Sequence, residues 1–141
     1  MLTDEQFARI LEFRVALRRF GRFTEEQAGK FDMTAAQYQL LLAVRGHEHP
    51  IGPTIADVAR YLLIRHHSAV GLVDRTRDLG LIERRRDGDD QRLVRLVLTP
   101  LGQERLNALA QAHLKELHRL AEVLGALLDS EPAGSADGVA G

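Results

Sequence analysis

The chain has 141 residues, 45% apolar and 28% charged, with a formal net charge of −1 and no cysteine. That size suits one domain with a real core; the missing thiols exclude disulfides, thiolate metal sites and cysteine redox sensing, and no apolar run is long enough to span a bilayer. The near-neutral total hides a segregated charge: residues 1–59 carry 7 basic and 8 acidic side chains, residues 60–99 carry 9 and 6 with all nine arginine, and residues 100–141 carry 3 and 6.

The opening Met-Leu-Thr-Asp-Glu-Gln has neither a basic n-region nor an apolar h-region, so no signal peptide is expected and a cytoplasmic protein is the simplest reading. Thr3 to Gln6 form a capping box. Phe7, Ile10, Leu11, Phe13, Leu17 and Phe20 follow at helical spacing, and the first helix is expected to end near Gly29. Thr34-Ala-Ala-Gln37 is a second capping box, opening a helix through Tyr38, Leu41, Leu42 and Val44 that stops at Gly46. Two prolines and a glycine make His47 to Pro53 a loop.

Thr54-Ile-Ala-Asp57 repeats the start signal for a short helix burying Ile55, Val58, Ala59 and Leu62. After a break at Ile64 to His67 comes a helix to Leu79, with Ala69, Leu72, Val73 and Leu79 on its apolar side and Ser68, Gly71, Arg75 and Asp78 on the other. Gly80 suits a left-handed C-cap. Two such helices joined by a few residues read as a helix-turn-helix. Leu81 to Arg86 and Arg92 to Leu98 are strand-prone, and Asp87 to Gln91 is the hairpin tip, where Asp-Gly is expected to supply positive φ.

Thr99-Pro100 starts the last helix, of about 28 residues. Leu106, Ala110, His113, Leu117, Leu120, Leu124 and Leu127 recur at steps of four and three, the spacing of a helix–helix seam and here the expected dimer seam. Asp129 to Gly141 is small, polar and glycine-rich and reads as a disordered tail. The fold class expected is mainly α with a small β-hairpin wing: a winged helix-turn-helix at 34–99, with helices at 1–33 and 100–128 forming a dimerisation lobe of the same single domain.

The stretch from Thr54 to Gly102 resembles the DNA-binding lobe of MarR-type transcriptional regulators. The matching motifs are Leu-Val-Asp-Arg (72–75), Leu-Gly-Leu-Ile (79–82) and the wing pattern Asp90, Arg92, Leu98, Thr99. The chain departs from the family at Leu63, where a glycine often ends the first helix of the pair, and at Thr76-Arg77, where an apolar–acidic pair is common.

The resemblance implies double-stranded DNA as partner, with the second helix of the pair in the major groove and the wing along the adjacent minor groove. Arg65, His66, His67 and Ser68 head that helix, with Gly71 and Arg75 further along; Arg84, Arg85, Arg86 and Arg92 flank the wing tip. A narrow minor groove favours guanidinium. Asp90 is expected to structure the wing by holding Arg92, as the family's wing Asp and Arg do. Taken alone, "RRRDGDDQR" also reads as a solvated, charge-balanced turn; Gly71 also reads as space for a helix crossing, and Arg75 as a partner of Asp74 or Asp78. The resemblance further implies a homodimeric repressor on a pseudo-palindromic site, released by a small aromatic effector in a pocket that could include Phe13, Phe20, Tyr38 and Leu42, residues that read equally as core.

Six histidines raise a metal-responsive regulator as an alternative, but His47 and His49 lie in a loop and His113 and His118 are five residues apart, so no metal and no cofactor is expected. His113, on the seam, reads best as a hydrogen-bonded interior histidine. No nucleophile elbow, phosphate loop or His-Glu-x-x-His motif is present, so no catalytic residue is assigned and an enzyme is not expected. A winged-helix module that binds an acidic protein is the reading from another class.

Overall fold

A computed structural model of the chain describes residues 1–129; the expected disordered tail lies, but for Asp129, outside the described residues. In chain order the elements are α1 (Asp4–Gly29), α2 (Ala35–Gly46), α3 (Ile55–Leu62), α4 (His66–Asp78), β1 (Ile82–Arg86), β2 (Val94–Leu98) and α5 (Pro100–Asp129). Among the described residues no helix is long and apolar enough to cross a membrane.

The helix starts follow their capping chemistry. Thr3, Thr34 and Thr54 each accept the backbone N–H three residues on, while Gln6, Gln37 and Asp57 reach back to the threonine N–H. That satisfies donors a helix end otherwise leaves open, worth about 1 kcal/mol per cap. Pro100 takes the first position of α5, where a missing N–H costs nothing, and the Thr99 hydroxyl accepts the Gly102 N–H at 3.0 Å.

Residues 25–111 form one compact unit. Its core is Ala28, Met33, Tyr38, Leu40, Leu41, Val44, Val58, Leu72, Val73, Leu81, Ile82, Leu96, Leu106 and Leu109. Helices α2, α3 and α4 pack together, α4 and β1 touch, and β2 lies against α2 and α3. The strands pair antiparallel with Ile82 opposite Leu98, Arg84 opposite Leu96 and Arg85 opposite Arg95. Of the expected apolar face of α4, Leu79 is exposed, because it caps the helix instead of continuing it. Thr76 is fully buried, with its hydroxyl donating to the Leu72 carbonyl at 2.7 Å. The hydroxyl is satisfied within its own helix, so a polar residue fits this apolar site.

Two expectations about the wing need correction. Positive φ among the described residues occurs at Asp32, Gly52, Leu63 and Gly80, so Gly80 is the left-handed cap expected but Gly88 does not supply positive φ at the wing tip. The tip is instead closed by the Asp87 carboxylate, which accepts the N–H groups of Asp89 and Asp90; a side-chain closure of this kind needs no left-handed residue. The strands are also shorter than expected, beginning at Ile82 and Val94.

The second unit consists of residues 1–24, which hold most of α1, and the part of α5 from Ala112. His113 is buried there, its ring edge-on to Phe20 and Phe23, with Nε2 3.0 Å from the Thr24 hydroxyl. The Thr24 hydroxyl also lies 3.2 Å from the Phe20 carbonyl. Much of the remaining apolar surface faces outward: Phe7, Ile10, Leu11, Leu114, Leu117 and Leu128 are all exposed.

Leu63, the departure from glycine noted above, stands at φ 55°, ψ 44° and is 91% exposed. It makes the sharp turn at the cost of left-handed strain, with no burial to offset it. Leu63→Gly should therefore raise unfolding stability by about 0.5–1 kcal/mol in urea titrations; a loss of stability would show that the leucine side chain has a packing role.

Candidate functional site

The exposed front of α4 follows directly from the α3–α4 turn. After Leu63 the Ile64 N–H returns to the Ala59 carbonyl, and Arg65 becomes the N-cap in extended conformation with no side-chain cap bond. Arg65, His66, His67 and Ser68 are all exposed. The first amides of α4 thus face outward uncapped, together with the positive end of the helix dipole. Two turns on, Arg75 is exposed and its guanidinium lies beside Gly71: a Cβ at Gly71 would stand 3.1 Å from Arg75 Nη1. Gly71 therefore makes room for Arg75 along its own helix, not for a helix crossing.

The wing arginines divide into tethered and projecting groups. Arg84 is tethered to α4: its Nη2 donates to Asp74 Oδ1 at 2.5 Å. Asp74 is thereby committed to the wing and is not the partner of Arg75. Arg86 Nη1 donates to the Gln91 carbonyl across the tip at 3.1 Å. Arg92 is held loosely, its Nε 3.3 Å from Asp90 Oδ1 while its side chain is 92% exposed. Asp90 does brace the turn, accepting the Arg92 N–H on its carboxylate and the Leu93 N–H on its carbonyl, but its bond with the Arg92 guanidinium runs through Nε alone, not the expected two-point grip. Arg65, Arg75, Arg77 and Arg85 make no ion pair among the described residues and are exposed.

The buried ion pair of the wing is one that motif reading misses. Arg95 Nε donates to Asp87 Oδ2 at 2.7 Å, with both side chains nearly covered, and Arg95 Nη1 donates to the Gly52 carbonyl at 3.0 Å. The signal in the sequence is an arginine inside the apolar strand run Leu93 to Leu98, which must find a partner to be half-buried there. The Arg95 guanidinium and the Asp89 N–H hold the Asp87 carboxyl down at about 2, against an ordinary 3.8.

The four residues of the expected effector pocket are divided between the two compact units. Phe13 lines a 270 Å³ groove with Ile10, Leu124 and Leu127, and Phe20 lines a separate 450 Å³ groove with Leu11, Val15, Leu120 and Val123. Tyr38 is buried in the core of residues 25–111, where burial pushes its phenol up, and Leu42 lines a 360 Å³ groove with Tyr61 and Leu62. The seam residues divide likewise. Leu106 is spent on the core of residues 25–111 and His113 on the Phe20–Phe23–Thr24 cluster; Ala110, Leu120, Leu124 and Leu127 are half-buried, and Leu117 is exposed. The heptad pattern marks both the interior of this chain and an outward face, because α5 runs through both compact units.

Histidines in the 47–49 loop serve structure. His47 Nδ1 lies 2.6 Å from the Tyr61 hydroxyl and Nε2 3.7 Å from Asp57, while His49 Nδ1 accepts the Ile51 N–H. Among the described residues no three His, Asp or Glu side chains converge as a metal site.

Residues 31–93 match the sequence profile of the MarR family. No curated protein sequence matches the chain. Three similar solved structures are AbsC, a MarR family transcriptional regulator from Streptomyces coelicolor (18% identity, TM-score 0.71, covering 96% of this chain and 87% of that one), wild-type MarR from E. coli (20%, 0.66, 96% and 90%), and MepR from S. aureus in complex with DNA (20%, 0.62, 97% and 90%). At these identities the structures establish a shared winged-helix fold.

The depressed Asp87 carboxyl has a pH consequence of definite sign. A group whose folded pKa lies below its unfolded value adds stability that is complete above the ordinary carboxyl range and disappears as pH falls through about 2. Asp87→Asn should be less stable than the parent at neutral pH, and the difference should shrink toward zero in denaturation curves between about pH 4 and pH 2. A difference that stayed constant across that window would mean that the carboxylate is not what Arg95 holds.

Proposed function

We infer, for a chain whose residues 31–93 belong to the MarR family and whose fold is that of MarR-family regulators, that it binds double-stranded DNA in a sequence-specific way and regulates transcription by occupancy, as a repressor. The single observation that carries the reading is the outward presentation, unpaired among the described residues, of Arg65, Arg75 and Arg85, with the nearly free Arg92, on one compact unit in which Asp74–Arg84 ties the wing to α4. Cations that serve only solubility are ordinarily interspersed with acids; these sit on the two elements that a winged helix offers to DNA.

In this reading α4 enters the major groove. His67 and Ser68, in its first turn, meet base edges; Arg65, Gly71 and Arg75 face the phosphates beside them. Arg85, Arg86 and Arg92 reach the adjacent minor groove and its phosphates. Arg84 and Asp90 act indirectly, as braces. The exposed apolar residues of α1 and α5 are covered by the same helices of a second copy, giving a homodimer on a pseudo-palindromic operator with half-sites about one helical turn apart. A small aromatic effector releases the DNA. The chemistry is binding, not catalysis, and the place of action is the cytoplasm.

Selection of bound duplexes from a random pool should return a motif with two-fold symmetry. Arg85→Ala, Arg86→Ala and Arg92→Ala together should weaken every duplex by at least ~10-fold and reduce the salt slope by roughly 0.9 for each phosphate that is no longer neutralised. His67→Ala or Ser68→Ala should instead change the preferred sequence. An unchanged salt slope in the triple variant, or binding to an acidic protein and to no duplex, would overturn the reading. Leu117→Glu with Leu128→Glu should convert a dimer to a monomer in sedimentation; parent protein that is monomeric at micromolar concentration would contradict the dimer.

A further inference from the structure

We propose that Asp87 and Arg95, seated on the Gly52 carbonyl, form a strut that sets the wing's position against the helix-turn-helix, so that an acidic residue at the wing tip promotes DNA binding instead of opposing it. This rests on the DNA-binding reading above and assigns a positioning role to two residues that touch no base or phosphate.

The wing has little else to hold it. In β1 only Ile82 is buried, in β2 only Leu96. A two-stranded hairpin with so small an apolar footing is marginal without further ties. One carboxylate supplies several. Asp87 Oδ1 accepts Asp89 N–H at 2.8 Å and Asp90 N–H at 3.3 Å, which closes the tip. Asp87 Oδ2 takes Arg95 Nε at 2.7 Å, and Arg95 carries the chain of bonds to Gly52 at 3.0 Å. Leu96 N–H adds a parallel bond to the Pro53 carbonyl at 2.8 Å. Gly52 and Pro53 lead straight into Thr54, the cap of α3. A side chain at Gly52 would collide with the Leu96 carbonyl oxygen, and its φ of +143° also demands glycine, so the loop lies hard against β2. Tip, strand and helix start thus form one polar continuum.

The pair also resolves a conflict within the hairpin. Arg85 and Arg95 are directly opposite each other, and like charges in that position are destabilising. Asp87 neutralises Arg95 and turns it toward Gly52, which leaves Arg85 free to project. Arg84–Asp74 anchors the other strand to α4. β1 therefore has an ion pair to the body and β2 a charge-assisted hydrogen bond to it, from an arginine that Asp87 holds in place, and two anchors fix an orientation that one would leave free to swing.

The test turns on a sign. Were Asp87 only a charge near phosphate, Asp87→Asn would remove a repulsion and tighten binding. The strut predicts the reverse: a wing that must be ordered on binding costs affinity, so Asp87→Asn should bind the selected duplex about 5- to 10-fold more weakly, with a shallower salt slope, at a temperature where circular dichroism shows both proteins folded. Asp87→Asn/Arg95→Gln should be little weaker than Arg95→Gln alone, because the two act as a unit. Independently of DNA, amide exchange at Leu96 and Asp87 should speed up in Asp87→Asn by about 10-fold while exchange in α2 stays as in the parent. Equal or tighter binding by Asp87→Asn, or unchanged exchange at Leu96, overturns the strut. Failure of the parent to bind any duplex would overturn the DNA-binding reading instead, and the exchange comparison would still decide the strut.

Discussion

A two-stranded hairpin cannot bury enough apolar surface to fix its own orientation, and that constraint shapes the whole winged unit. Ile82 and Leu96 seat the strands on the core, while direction comes from polar ties: Arg84 to Asp74 on α4, Arg95 to Asp87 and Gly52, Leu96 to Pro53. The consequence for function is a division of labour among five wing arginines. Arg84 and Arg95 are spent on partners within the chain. Arg85 and Arg92 project, and Arg86 stays exposed while bonded across the tip. Counting cations along the sequence overstates the charge available to a partner; following each guanidinium to its partner gives the number that matters.

The same holds for α4. Its N-terminus carries no side-chain cap, in contrast to the threonine-capped starts of α2 and α3. A stability-driven design would place serine or aspartate at position 65. Arginine there forgoes that stabilisation and leaves the first amides of α4 outward-facing, beside a cation. Leu63 is a second local sacrifice, a left-handed leucine with an exposed side chain at the turn that aims α4. Locally unfavourable choices concentrated at one turn are what a functional constraint on geometry produces.

Much of this was legible in the sequence because it is local. Capping boxes at Thr3, Thr34 and Thr54 span four residues each, Thr99-Pro100 two, and Gly80 one; each carries its own physics, and each element starts or stops there. What escaped depends on residues far apart in the chain. The Arg95–Gly52 bond joins positions 43 apart, and Arg84–Asp74 needs the fold to bring strand and helix together. Gly88 misled for a related reason: Asp-Gly signals a tight two-residue turn, whereas this tip is wider and closed by the Asp87 side chain. Heptad spacing in α5 located an apolar stripe but could not say which part is buried at home, so Leu106 joined a seam it does not line. Phe13, Phe20, Tyr38 and Leu42 are grouped only by what the family resemblance implies; Phe13 and Phe20 line grooves of one unit, while Leu42 lines a groove and Tyr38 sits in the core of the other.

The central claim is that α4 and the wing of one unit occupy neighbouring grooves of the same duplex. Hydroxyl-radical footprinting on a selected duplex tests this most directly, since it reads backbone protection nucleotide by nucleotide. The account predicts two protected stretches per half-site, one flanking the major groove and one on the adjoining minor groove, repeated with two-fold symmetry about 10 base pairs away, with the minor-groove stretch lost when Arg85, Arg86 and Arg92 are replaced. Protection confined to one groove, or a footprint that is the same without those arginines, would contradict it.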